Sequence, residues 1–174
     1  MIAIATPLLL CALLGALSPA CAGVTHNDLV IAARALSFLE NPPTGDVRVG
    51  IVCAPGDPRS NAEATSLRDI LRGGLRAGNL VLRPVMVRID EVERAKVDLL
   101  FLTHGVGAAA ARVAAVSDAK RIPCVTTDIA QVKRGTCVVG VRSEPRVEIL
   151  VNRAAAGASG TTFSTAFRML ITEI

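Results

Sequence analysis

His104 directly follows a continuously apolar stretch, Val97-Asp98-Leu99-Leu100-Phe101-Leu102-Thr103, and two aspartates, Asp57 and Asp128, follow other short apolar stretches. A histidine beside a carboxylate is the pairing that general acid–base catalysis uses. No serine or cysteine stands in a recognisable nucleophile elbow beside such a pair. A single histidine after a buried strand is more often a loop donor bonded to backbone, and no Cys/His spacing matches a metal site. Gly105-Val106-Gly107-Ala108-Ala109-Ala110 has the form G-x-G-x-x-A, and Asp128 ends the next apolar stretch. That is the outline of a dinucleotide fingerprint, but it follows the third apolar stretch rather than the first. Glycines turning a strand into a close-packed helix are the simpler explanation. No catalytic, cofactor-binding or metal-ligating residue is therefore assigned. Asp57, Arg59, Ser60, Thr103, His104, Gly105, Thr126, Thr127 and Asp128 remain as an edge for a small ligand or a partner.

These residues need a sheet to bring them together. Val47–Cys53, Leu80–Val87, Val97–Thr103 and Ile122–Thr126 are short apolar runs bounded by turn signals, as expected of strands buried on both faces. Helices are expected between them. Thr25 or Asn27 caps the first, which runs to about Glu40 before Asn41-Pro42-Pro43 stops it. Ser60-Asn61-Ala62-Glu63 has the form of a capping box opening the second. Asp90–Ala95 is a short helix, Val106–Lys120 an alanine-rich one, and Ile129–Arg134 a helical turn. Thr136–Val141 and Arg146–Val151 flank Arg142-Ser143-Glu144-Pro145 and read as a hairpin. Arg153–Gly160 starts helical, and Phe163–Ile171 is a last helix with Phe163, Phe167 and Leu170 on one face.

The order predicts a three-layer α/β domain. Its sheet is flavodoxin-like or Rossmann-like, mostly parallel, in order 2-1-3-4-5, with a C-terminal hairpin and helices. Ligands of such sheets sit beyond the strands' C-terminal ends, at the switch point between strands one and three. That rule puts the loops Ala54–Ser60, Thr103–Gly107 and Thr126–Asp128 along one edge.

Residues 1–22 carry no charged side chain and contain Leu8-Leu9-Leu10-Cys11-Ala12-Leu13-Leu14. Ala20-Cys21-Ala22 fits the small-x-small pattern of a signal-peptidase site, although no Lys or Arg precedes the apolar run. Seven apolar residues are too few to span a bilayer. The expectation is a signal peptide over 1–22, cleaved after Ala22. A single periplasmic domain over 23–174 would then have no membrane span. A buried N-terminal helix, or a lipid on Cys21, are the alternatives, the latter weakened by Pro19. The formal net charge is +4, and basic residues alternate with acids, as in Asp90–Lys96. With no Trp and no Tyr there are almost no stacking platforms, so nucleic acid is not an expected partner. Cys53, Cys124 and Cys137 would remain after cleavage, and two thiols can pair in an oxidising compartment. Cys124 and Cys137 lie on successive expected strands and are the pair if any forms; three buried thiols is the other outcome.

Val147-Glu148-Ile149-Leu150-Val151-Asn152-Arg153-Ala154-Ala155-Ala156, then Gly160-Thr161-Thr162-Phe163 and a helix to Leu170, resembles the end of the YfiR-like periplasmic proteins. The first helix with Phe38 and the strands Val47–Cys53 and Asp98–Thr103 fit in order. Glu40-Asn41-Pro42-Pro43 stands where that family commonly has Trp-Pro, and the three cysteines left after the expected cleavage suffice for one disulfide where members can carry two. The resemblance implies an exported, non-enzymatic regulator. It would bind and restrain a periplasm-facing sensor domain of a membrane-bound signalling enzyme, such as a diguanylate cyclase. The same ending is also similar to the final segment of ABC-transporter solute-binding proteins. Those have two lobes and this chain has length for one, which gives the alternative, a single-lobe small-ligand-binding protein. One lobe cannot close over a ligand by hinge motion unless it forms a homodimer.

Overall fold

Parallel strands buried on both faces need two helical layers to cover them. The computed structural model describes residues 23–174 and has that arrangement. The expected signal segment, its cleavage site and Cys21 lie outside the described residues.

Helix α1 (His26–Ser37) starts at a reciprocal capping box: the Thr25 hydroxyl accepts from the Asp28 N–H, and the Asp28 carboxylate accepts from the Thr25 N–H. It ends earlier than the proline signal implies. The Glu40 N–H donates to the Thr162 carbonyl, and Leu39 bridges to Phe163. Tertiary pairing thus draws residues 38–40 out of the helix. Strand β1 (Gly45–Cys53) is followed by α2 (Pro58–Leu71), then β2 (Leu75–Ala77) and β3 (Leu80–Arg88). The short antiparallel β2 was not expected; Leu75 and Ala77 fold back on β3 across the Gly78-Asn79 turn. A 3₁₀ segment (Ile89–Arg94) leads into β4 (Leu99–Leu102). A 3₁₀ turn (Gly107–Ala109) precedes α3 (Ala110–Lys120), so the helix begins later than Val106.

The rest is β5 (Cys124–Thr126), α4 (Ile129–Lys133), β6 (Val139–Arg142), β7 (Glu148–Val151), α5 (Arg153–Ala158), α6 (Thr165–Arg168) and β8 (Thr172–Glu173). The final helix was expected to reach Ile171 and spans only four residues. The tail turns back instead: the Ile174 N–H donates to the Val151 carbonyl, the Arg153 N–H to the Ile174 carbonyl, and Leu150 pairs with Thr172. The unpaired edge of β7 competes for that backbone and takes it. Phe163 and Phe167 are buried, while Leu170 is 77% exposed, so it is not on the apolar face assigned to it.

The sheet has eight strands in order β2-β3-β1-β4-β5-β6-β7-β8. Its parallel middle, β3-β1-β4-β5-β6, is the expected 2-1-3-4-5 order. Strands β6 and β7 form the expected antiparallel pair. Alternation across β4 shows the three layers: Leu99 and Phe101 join the core under α1 and α2, and Leu100 and Leu102 join the core under α3. A disulfide joins Cys124 to Cys137, with Cα atoms 4.7 Å apart. Cys53 is a free, buried thiol, and burial pushes its pKa up. Among the described residues no helix is long and apolar enough to cross a membrane.

Candidate functional site

Strands β1, β4 and β5 end side by side, so the loops after them share one edge. The first loop leads into α2. Its N-cap is Asp57, whose carboxylate accepts from the Ser60 N–H at 2.8 Å, and Pro58 takes the first helical position. This corrects the expected Ser60/Glu63 capping box. Proline at the first turn is preorganised for a helix and moves the start back by three residues. Ser60 and Glu63 then fall on the buried face of α2 with Ala64, Leu67 and Leu71.

Ser60 is fully buried and bonded inward. Thr103 Oγ1 donates to the Val52 carbonyl at 2.9 Å, so the 2.6 Å contact between Ser60 and Thr103 has Ser60 as donor. Ser60 Oγ in turn accepts from the Ala54 N–H at 2.9 Å. These hydroxyls stitch the first loop to β4 and are spent on structure.

Glu63, 7% exposed, is the centre of the edge. Its Oε2 accepts from the His104 backbone N–H at 2.7 Å and lies 2.8 Å from His104 Nδ1. Its Oε1 accepts from Thr127 Oγ1 at 3.0 Å. Three donors on one carboxylate is the condition under which a buried acid is tolerated. One side chain from α2 therefore ties together the loops after β4 and β5. The carboxylate also sets the histidine's tautomer: with Nδ1–H donated inward, Nε2 faces away from Glu63. The His104 side chain is 19% exposed. Its carboxylate partner is Glu63, not Asp57 or Asp128 as an acid–base pairing from the sequence would have it.

Asp57 and Asp128 do other work. The Asp128 carboxylate caps α4 through the Ala130 N–H at 3.0 Å, and its own N–H donates to Thr126 Oγ1 at 3.0 Å. Gly105 has φ +77°, and a Cβ there would run into the Asp57 carboxylate. A pyrophosphate over this turn would meet that carboxylate, so the G-x-G-x-x-A outline is a packing device. Arg59 is exposed and, among the described residues, its side chain has no hydrogen-bond or ion-pair partner. The disulfide closes the segment that carries Thr126, Thr127 and Asp128. Among the described residues no group of three His, Cys, Asp or Glu is placed to hold a metal ion.

Eight of the nine edge residues lie in these bonded loops or the helix turn beside them, while the Arg59 side chain has none of them as a partner. Glu63 was missed as a site residue because its spacing from Ser60 suited a capping box. The available signal was helical: Ser60, Glu63, Ala64, Leu67 and Leu71 keep one face, which puts an acid in an apolar stripe. A cavity of about 290 Å³ opens elsewhere, at the N-terminal edge of the sheet, between α1, the starts of β1 and β4, and Arg121.

No protein-family model and no curated protein matches the chain. Solved structures do. A conserved domain protein from Vibrio cholerae matches with a TM-score of 0.58 at 17% identity, over 85% of this chain and 59% of that one. An ABC domain in complex with L-Trp from Streptococcus pneumonia matches at 0.56 and 12%, over 81% and 58%. A substrate-binding protein with adhesive properties from Clostridium difficile, in its ligand-free, open form, matches at 0.58 and 12%, over 84% and 58%. The likeness is one of fold: a mostly parallel α/β sheet of the kind seen in solute-binding proteins. The chain spans under three-fifths of the length of each of these structures.

Proposed function

We propose that the chain is a non-enzymatic, exported binding lobe that takes a small ligand at the C-terminal edge of its sheet. The observation that carries this is His104, oriented by buried Glu63 so that Nε2 faces away from the carboxylate at the topological switch point. The two neighbours described as a complex with L-Trp and as a substrate-binding protein support it. So does the disulfide, whose chemistry belongs to an oxidising compartment such as the periplasm. Lacking Trp and Tyr, the edge offers no aromatic wall. The favoured ligand is therefore a small polar molecule, such as an amino acid, rather than a sugar or a large cation. A second copy of the chain, or another polypeptide, supplies the facing wall.

The test is calorimetric titration of a panel of amino acids and small organic acids against the purified protein and its His104→Ala variant. A panel member should bind the parent and lose about tenfold or more in affinity in the variant, since hydrogen bonds to charged groups have that order of strength. Absence of binding across the panel, together with recovery of a membrane signalling enzyme from the envelope fraction, would instead favour the YfiR-like restraint of a sensor domain. None of the three structures described above is described by its name as having that role.

A further inference from the structure

The cavity at the N-terminal edge lies across the sheet from His104 and is built differently. Its floor is core: Leu36, Val47 and Leu99 are each 2% exposed or less, and Leu39 adds to the wall. At its rim sits Arg121, the one described non-glycine residue with positive φ, at 53°. Arg121 terminates α3, and its N–H donates to the Asp118 carbonyl. Helices that end this way usually place glycine there, because a Cβ strains the left-handed backbone. An arginine in that position accepts the strain, and strain of this kind is concentrated where a side chain is used.

The exposed arginine side chain also lies beside the Gly160 turn. Gly160, at φ +66°, approaches so closely that a Cβ would lie 3.1 Å from Arg121 Nη1. The guanidinium rests across the glycine, and among the described residues it has no carboxylate partner within ion-pair distance. The two acids of the cavity differ. Asp98 is neutralised by Arg48, with Oδ1 2.8 Å from Nη2 and Oδ2 3.0 Å from Nε. Glu40 is exposed, with its backbone fixed to Thr162. An apolar floor with one uncompensated guanidinium at its rim matches a molecule with an aliphatic tail and an anionic head.

We infer that this cavity is a binding site for a small aliphatic monocarboxylate, with Arg121 as its charged anchor. The site is separate from the His104 edge and stands or falls independently of it. The probe is hexanoate, titrated into the purified protein by calorimetry or NMR, with hexanamide and hexylammonium as matched neutral and cationic controls. Hexanoate should bind, and the two controls should not. Arg121→Gly removes the guanidinium while relaxing the backbone, so the variant should fold at least as well as the parent and bind hexanoate about tenfold or more weakly. Glu40→Gln should leave hexanoate binding equal or tighter, and His104→Ala should leave it unchanged. Hexanoate that fails to bind, or that binds Arg121→Gly as well as the parent, overturns the inference. Preferential binding of hexylammonium that Glu40→Gln abolishes also overturns it.

Discussion

The two edges of the sheet are built on opposite plans. At the C-terminal edge, polar side chains from α2 and from the loops after β4 and β5 bond to one another through Ser60 and Glu63. At the N-terminal edge, a cavity with an apolar floor lies under one strained, unpaired arginine. A rule drawn from fold alone selects the first, because strand C-termini carry the loops of parallel sheets. Room for a ligand of some size exists at the second. Location and capacity are thus separable, and each edge needs its own test.

The largest expected effect removes both edges at once. Leu100 is fully buried in the strand from which the His104 loop springs. Leu100→Asp buries an unpaired carboxylate, costs about 4 kcal/mol or more, and should abolish cooperative unfolding. A soluble variant with a normal thermal transition would mean the strand is not core. The next effect is confined to one side. Replacing Cys124 and Cys137 together by Ser opens a loop with a sequence separation of 13. The cost should be about 3 kcal/mol, seen as a lower denaturant midpoint. Amide exchange should rise first around Thr127, with the cavity residues Leu36 and Val47 still protected. Equal loosening at both edges would erase the contrast.

Glu63→Gln should cost about 1–3 kcal/mol by leaving the His104 donors poorly matched. The loss should appear as faster exchange of the His104 and Thr127 amides, and unchanged exchange there would reduce Glu63 to a bystander. Arg121→Gly should act in the opposite direction, stabilising by about 1 kcal/mol as left-handed strain is relieved. The smallest effect is a pH dependence at the cavity rim. The hydrogen bonds from the Arg48 side chain hold the Asp98 carboxyl below the usual carboxylate range, against a desolvation penalty in the other direction. A depressed folded-state pKa stabilises above the ordinary carboxylate pKa and loses that contribution as pH falls through the folded value. Asp98→Asn should therefore lower the thermal midpoint slightly at neutral pH, and the difference from the parent should vanish in acid. A difference that grows in acid would contradict the pairing.

Strand order and the shared edge were readable because they rest on long-range regularities: apolar runs of strand length, breakers between them and a helix at each crossover. Cys124 and Cys137 pair as expected, although β6 starts at Val139 and leaves Cys137 two residues before the strand assigned to it. The misreadings have local causes. Ser60-Asn61-Ala62-Glu63 satisfies a capping-box pattern, yet Asp57-Pro58 is a stronger start and turns both side chains inward. Phe163–Ile171 has helical spacing, but an open sheet edge nearby captures Thr172 and Ile174, a competition invisible in the segment itself. The Arg121 cavity left no sequence signal. It is assembled from α1, β1, β4 and the turn at Gly160, segments whose proximity only the fold reveals.

The most direct measurement is heteronuclear NMR of the purified protein during titration with the amino-acid and organic-acid panel. Saturable shifts should cluster on His104, Gly105 and Thr127 and disappear in His104→Ala. Binding that leaves those three amides unmoved, or no binding by any panel member, would contradict a ligand site at the C-terminal edge.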